Sequence, residues 1–439
     1  MIRAATPITE RRFVLPLVLV TSLFFLWALG VNLNDILIPH LKKAFSLTDF
    51  QSSLIQSAFF GGYFLAALPA GWLMQRVGYK KGILFGLGIC ATGAFLFIPA
   101  ASIRTYGFFL FALFVMACGQ CFLEVAANPY VTILGPPESS ERRLNMAQSF
   151  NSVGAVITPF LGATFILSGI EYTPAQFATM TPAQVLAFRV SEANMVKVPY
   201  LVITGIFLFV AVLIYLSKLP EIKEAAEPGE GAAVVAARGG IWSYGHLVKG
   251  VLAQFFYVGA QVGVASFVIR FAEHTIPGTH EKAAAHYLQM HLIGFMIGRF
   301  AGSAVMKYIP APRLLSLFAT GALVSVMVAL LASGAAPVWA IVLLGFFHSI
   351  MFPTIFALSL KNLGPYTKLG SSLLVMSIIG GAVCPALMGL ISDASDIQHA
   401  FIVPLICYVY VLYFALSGYR PAIRASGAHI MEGAPSEAK

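Results

Sequence analysis

Two carboxylates in this chain lie deep inside long apolar runs: Asp35 in SLFFLWALGVNLNDILIPHL and Glu124 in FFLFALFVMACGQCFLEVAANPYV. Every other Asp or Glu falls in a loop, a tail or at the edge of an apolar run. A charge in hydrocarbon costs about 3 kcal/mol or more, so an acid placed there is by default a functional group that exchanges protons or meets a polar solute. Asn32 and Asp35 are three residues apart and share one helix face, with Asn34 beside them. Gln120, Glu124 and Asn128 follow each other at four-residue intervals, which makes one polar row on an otherwise apolar helix. Such a row must face protein or a cavity, because lipid cannot satisfy it.

Gln148 and Asn151 repeat the three-residue spacing at the opening of another apolar run. A carboxamide gives and accepts hydrogen bonds in a fixed plane, which suits a ligand rich in hydroxyl groups. Gln254, Tyr257 and Gln261 offer a similar face later in the chain, followed by Gln289, His291 and Arg299. Trp27 and Phe352 could stack on the C–H face of a sugar ring. Each of these has a plainer reading. Asp35 would sit at the outer interface, Glu124 in a structural network, and the amides would glue helices together. His348 reads as a packing histidine able to titrate near neutral pH. Arg299, beside Gly298, reads as a cation snorkelling or anchoring a loop near the inner face.

The elements that hold these residues are membrane spans. Of 439 residues, 59% are hydrophobic and 10% charged, against about 25% charged in a soluble domain. Twelve apolar runs are long enough to cross a bilayer as helices, near 13–38, 51–74, 82–100, 106–130, 146–168, 199–217, 249–271, 286–306, 313–333, 337–360, 368–391 and 399–419. The Glu-, Ala- and Gly-rich stretch 218–248 divides them six and six, so we expect a six-helix bundle at 1–217, a cytoplasmic linker at 218–248 and a second bundle at 249–439 with a short tail. The stretch 169–198 reads as a short amphipathic excursion. The first apolar run is long enough to span and has no cleavage site of the small-residue type, so no cleavable signal is expected.

With the amino terminus inside, the inner regions hold 19 of the 27 Lys and Arg, the outer loops seven, and Arg299 lies within a span. That excess places both termini in the cytoplasm and explains the net charge of +9 without nucleic acid. An internal repeat supports the division. Each half ends its fourth span near a proline, Pro129 or Pro353, and opens its fifth with Gly154 or Gly380, with Pro159 and Pro385 five residues further on. Parallel six-helix halves with a site between them describe a transporter architecture.

The five cysteines all sit in apolar runs, and Cys118 and Cys121 read as small packing residues rather than a redox or metal pair. No G-x4-G-K-[ST] phosphate loop, nucleophile–base pair or metal-ligand cluster is apparent. The expectation is therefore no enzyme, cofactor or metal.

The loop GWLMQRVGYKK, with Gln75 where an Asp is usual, resembles the second-to-third span loop of the major facilitator superfamily. The blocks FFLWALGVNLNDILIPHL, CFLEVAANPYVTILGPPESS, RLNMAQSFNSVGA, LAQFFYVGAQ and FPTIFALSLKNLG resemble the fucose/proton symporter family within it, from about residue 13 to 420. The resemblance implies an all-α, twelve-helix carrier of the bacterial inner membrane that imports L-fucose or a related hexose with a proton. It also implies that Asp35 and Glu124 serve coupling and sugar binding, and that Asn32, Gln148 and Asn151 hydrogen-bond the sugar. Its partners would be the monosaccharide, the proton (or sodium) and the bilayer, with the carrier a monomer. A sodium-coupled hexose symporter or a proton-driven drug exporter is the alternative.

The chain departs from the family's fucose carrier at Ala265, where that carrier has Trp, and at Phe352, where it has Tyr. A lost ring and a lost hydroxyl change which sugar fits. Ala265→Trp combined with Phe352→Tyr should therefore shift preference toward fucose in competition transport assays. An unchanged sugar profile would count against these positions as selectivity determinants.

Overall fold

A computed structural model describes residues 7–45, 49–165, 176, 179–220, 240–279 and 281–421, with backbone alone at 34–40, 42–44, 49–53, 159, 160, 162, 163, 281 and 282. The predicted linker lies mostly outside the described residues. The helices are α1 (Val14–Phe45), α2 (Asp49–Ile103), α3 (Tyr106–Ile133), α4 (Ser140–Phe165), α5 (Pro182–Met195), α6 (Lys197–Leu216), α7 (Gly245–Thr275), α8 (Glu281–Val305), α9 (Ala311–Leu331), α10 (Ala336–His348), α11 (Met351–Leu360), α12 (Thr367–Met376), α13 (Gly380–Ala394) and α14 (Ile402–Tyr413).

At 1.5 Å per residue the 55 residues of α2 would run about 80 Å, more than twice a bilayer core. Gly78 breaks it, with φ 84° and ψ 173°, a conformation that a residue with a Cβ rarely adopts. The two parts form the second and third spans. The tenth span is α10 with α11, the eleventh α12 with α13, and α14 continues through Phe414–Gly418. Twelve crossings in two six-helix halves result, with observed ends within about two turns of the predicted ones. The expected excursion contains α5, whose start is a capping box: Thr181 and Gln184 exchange side-chain to backbone bonds.

Among the described residues, nine helical stretches, some joining two of these helices, are apolar enough over 18 residues to cross a membrane. α4 and α8 are not among them. These two carry Gln148, Asn151 and Arg299, and they pack against one another across the boundary between the halves. α4 also meets α11, while α2 and α3 meet α12.

The repeat prolines have a direct structural effect. Proline has no N–H, so the carbonyl four residues earlier loses its helical donor. For Pro129 that carbonyl is Val125, and Ser371 Oγ in the opposite half donates to it at 2.9 Å. For Pro353 it is Ser349, and Arg299 Nε donates at 2.9 Å. Ser349 and Ile350 are where the tenth span breaks between α10 and α11.

Further contacts between the halves lie toward the end that carries the loop 134–139. Asn145 Nδ2 donates to Thr354 Oγ1 at 3.1 Å, Ser303 Oγ donates to the Arg142 carbonyl at 3.4 Å, and Lys361 pairs with Glu141. The Lys368 ammonium stands 4.9 Å from the centre of the Tyr79 ring. At the same end Arg143, fully buried, donates to the carbonyls of Val131, Thr132 and Pro136 and to that of Ile8, which holds the amino-terminal segment against this loop.

Ser371→Ala should strand the Val125 carbonyl and destabilise the folded protein by about 1 kcal/mol, a typical figure for a hydrogen bond between membrane helices. The measurement is thermal unfolding in detergent, with Ser371→Thr as the variant that keeps the donor. Superimposable melting curves for Ala and wild type would show that the bond contributes nothing.

Candidate functional site

Depth along each helix locates the polar residues. Asn151 is eleven residues into α4 from Ser140, about 16 Å from that end and close to mid-bilayer. Glu124 lies nine residues before the end of α3, about 14 Å from the same side. Phe24, ten residues into α1, is level with both. The three helices therefore present side chains at one height.

Glu124 is 3% exposed. It interacts with the Tyr63 hydroxyl of α2 and with Asn128 of its own helix, and it feels the charge of Arg299 from α8. Gln148 Nε2 donates to Asn128 Oδ1 at 3.0 Å, and Asn151 Nδ2 donates to the Phe24 carbonyl at 3.2 Å. The acceptor ends of both amides face Arg299: Nη1 lies 3.2 Å from Gln148 Oε1, 3.3 Å from Asn151 Oδ1 and 2.6 Å from the Gln148 carbonyl. The guanidinium also stands over the Phe295 ring, 4.4 Å from its centre.

Arg299 is thus no snorkelling cation. At 4% exposure it is buried, with Nη1 bonded to the opposite half and Nε to the broken tenth span. A cation near the inner face can snorkel out of the membrane, but this one points inward to the facing half. The rule that makes a buried acid suspect applies equally to a buried base.

The structure brings Glu124, Gln148 and Asn151 together around Arg299. It does not bring Asn32 to them: the Asn32 amide turns back on the Ala28 carbonyl of its own helix at 2.7 Å, eight residues beyond Phe24 and so about 12 Å further along α1. The side chain of Asp35 lies outside the described residues. Trp27 is buried against Phe24, with ring centres 4.9 Å apart, and the Phe24 carbonyl accepts the Asn151 bond.

From the second half, Phe352 is buried beside Tyr257, ring centres 6.4 Å apart, and Tyr257 interacts electrostatically with Arg299. Tyr257 also donates to the His348 carbonyl at 2.9 Å. Gln254 is fully buried, and neither end of its amide makes a hydrogen bond among the described residues. Gln261 is half-buried. Gln120, one turn before Glu124, is likewise buried without a partner, packed against Gly30 of α1, where any side chain would overlap its amide nitrogen. Buried amides of this kind are costly unless a solute or water meets them.

His348 is not the lone histidine expected. Its Nε2 meets the Tyr408 hydroxyl, and its ring stands edge-on to His291, centres 5.5 Å apart. It lies five residues before Pro353, as Glu124 lies five before Pro129. That register was visible in the repeat. Among the described residues no group of three or more His, Cys, Asp or Glu could hold a metal ion.

The sequence profile of the Major Facilitator Superfamily matches residues 20–372. The chain is 43% identical over 414 residues to the L-fucose-proton symporter of Escherichia coli, covering 92% of this chain and 93% of the relative. The chain belongs to the Major Facilitator Superfamily, in the family of that symporter. It is equally similar, 43% over 411 residues, to a glucose/galactose transporter of Brucella abortus, covering 93% of this chain and 95% of that one. Its fold is that of the transporter FucP crystallised in the outward conformation, with a TM-score of 0.84 at 42% identity, covering 92% of this chain and 99% of the other. A transporter, and no enzyme, accounts for the buried polar cluster.

Proposed function

We propose that this chain imports a monosaccharide together with a proton by alternating access, with Glu124 as the group that takes and releases the proton. The observation that carries this reading is the mid-membrane cluster in which one buried acid neighbours the paired carboxamides Gln148 and Asn151. Hydroxyl groups of a sugar match carboxamides, each of which can give and accept. A buried carboxyl next to them supplies a charge that protonation removes. The names of the relatives add fucose, glucose and galactose as candidate cargo. We take Asp35 as a second coupling group, and Trp27, Asn32, Gln254, Gln261 and Phe352 as further parts of the sugar path.

The orientation follows from the charge asymmetry. With both termini in the cytoplasm of a bacterial cell and the spans in its inner membrane, the loop 134–139 faces inward. The contacts of Glu141, Asn145 and Ser371 with the opposite half then close the cytoplasmic side, as in an outward-facing carrier. The two halves, 1–217 and 249–439, rock about the cluster, and the carrier works as a monomer.

Counterflow of labelled fucose, galactose, glucose, mannose and fructose in proteoliposomes tests the cargo. Glu124→Gln should keep counterflow within about threefold of wild type and lose accumulation driven by a pH gradient, because only the coupled step needs an exchangeable proton. Asn151→Ala should weaken sugar affinity about tenfold, the usual effect of losing a buried hydrogen bond. Accumulation driven by a sodium gradient at equal pH on both sides, or pH-driven uptake that survives Glu124→Gln, would overturn the proton assignment.

A further inference from the structure

Arg299 belongs to the second half, yet three of its four hydrogen-bond acceptors belong to Gln148 and Asn151 of the first. We propose that Arg299 is a positioning residue for sugar binding, one that sets which end of each carboxamide is offered to the sugar. The inference rests on the sugar-transport reading above and goes beyond it by assigning a role to a residue that need not touch the cargo.

A carboxamide can turn by 180° about its last bond, exchanging its oxygen and nitrogen with little change of shape. Arginine carries only donors, so whichever amide end faces it must be the oxygen. Arg299 therefore fixes Gln148 Oε1 and Asn151 Oδ1 toward itself. The nitrogens point the other way, each with one hydrogen already engaged: Gln148 Nε2 on Asn128 Oδ1 and Asn151 Nδ2 on the Phe24 carbonyl. What remains on each amide is one N–H and one oxygen lone pair, in a defined sense. A hydroxyl that gives one hydrogen bond and takes another matches that pair in one orientation only.

The arginine is itself held. Nε is fixed on the Ser349 carbonyl that Pro353 leaves free, and the Phe295 ring lies beneath the guanidinium. A lysine in its place would keep the charge, but a single nitrogen cannot span Ser349 on one side and two amides on the other.

The test uses the full-length protein in proteoliposomes, with wild-type counterflow measured first. If the wild type moves none of the hexoses, the transport reading fails, and with it the basis of this inference. If it does move one, Arg299→Lys and Arg299→Gln should raise the half-saturating sugar concentration about tenfold. The maximal exchange rate should stay within about twofold. Monodeoxy analogues of the transported hexose give a readout that a purely structural role would not move. An analogue lacking a hydroxyl that the amides bind should lose about tenfold in affinity on the wild type and less than about threefold on either variant.

Unchanged half-saturation, or deoxy penalties equal to those of the wild type, would overturn the proposal. If neither variant folds, Phe295→Leu, which removes only the ring beneath the guanidinium, should raise half-saturation about threefold. Wild-type affinity in that variant would overturn it as well.

Discussion

A guanidinium at mid-membrane needs acceptors from every direction, because leaving one donor group unpaired there costs several kcal/mol. Arg299 finds them in two places that the fold would otherwise keep apart: a carbonyl exposed by a break in the tenth span, and two amides on the facing helix of the other half. That requirement determines much else. It explains why α4 and α8 lie against each other and why Gln148 and Asn151 are oriented as they are. The attraction between Glu124 and Arg299 adds an electrostatic link across the same boundary.

The repeat supplies one scaffold to two different chemistries. In both halves a proline inside the fourth span leaves a carbonyl without its helical donor, and in both a side chain from elsewhere supplies one. Five residues before the proline, the first half places an acid beside a tyrosine, and the second places an imidazole beside another tyrosine and a second histidine. The shared geometry lies in the backbone. The chemical differences lie in a few side chains set on it.

Much of this was legible in the residues. Span lengths, the six-and-six division and the polar row of Gln120, Glu124 and Asn128 follow from hydrophobic length and helical period, which are local properties. Gln148 and Asn151 were found from spacing alone, and they lie beside Glu124. The family resemblance groups Asn32 with them, yet it sits about 12 Å further along α1, at a depth that residue type does not reveal. Arg299 was misread for a related reason. Its distance from the helix end suggested an escape to water, while the direction of its side chain depends on α4 and α11, far away in the chain. The tertiary partners of Tyr63 and His348 were hidden in the same way.

The two membrane helices that fall short of a fully apolar span, α4 and α8, come from opposite halves of the chain and pack against each other. During synthesis the first is made some 140 residues before the second. Its carboxamides must therefore wait, sheltered by the insertion machinery or by α1 and α3, until the partner arrives. The amino-terminal bundle is in this sense an unfinished product when it leaves the ribosome. Severing the chain between the bundles would separate α4 from the helix whose guanidinium meets its carboxamides.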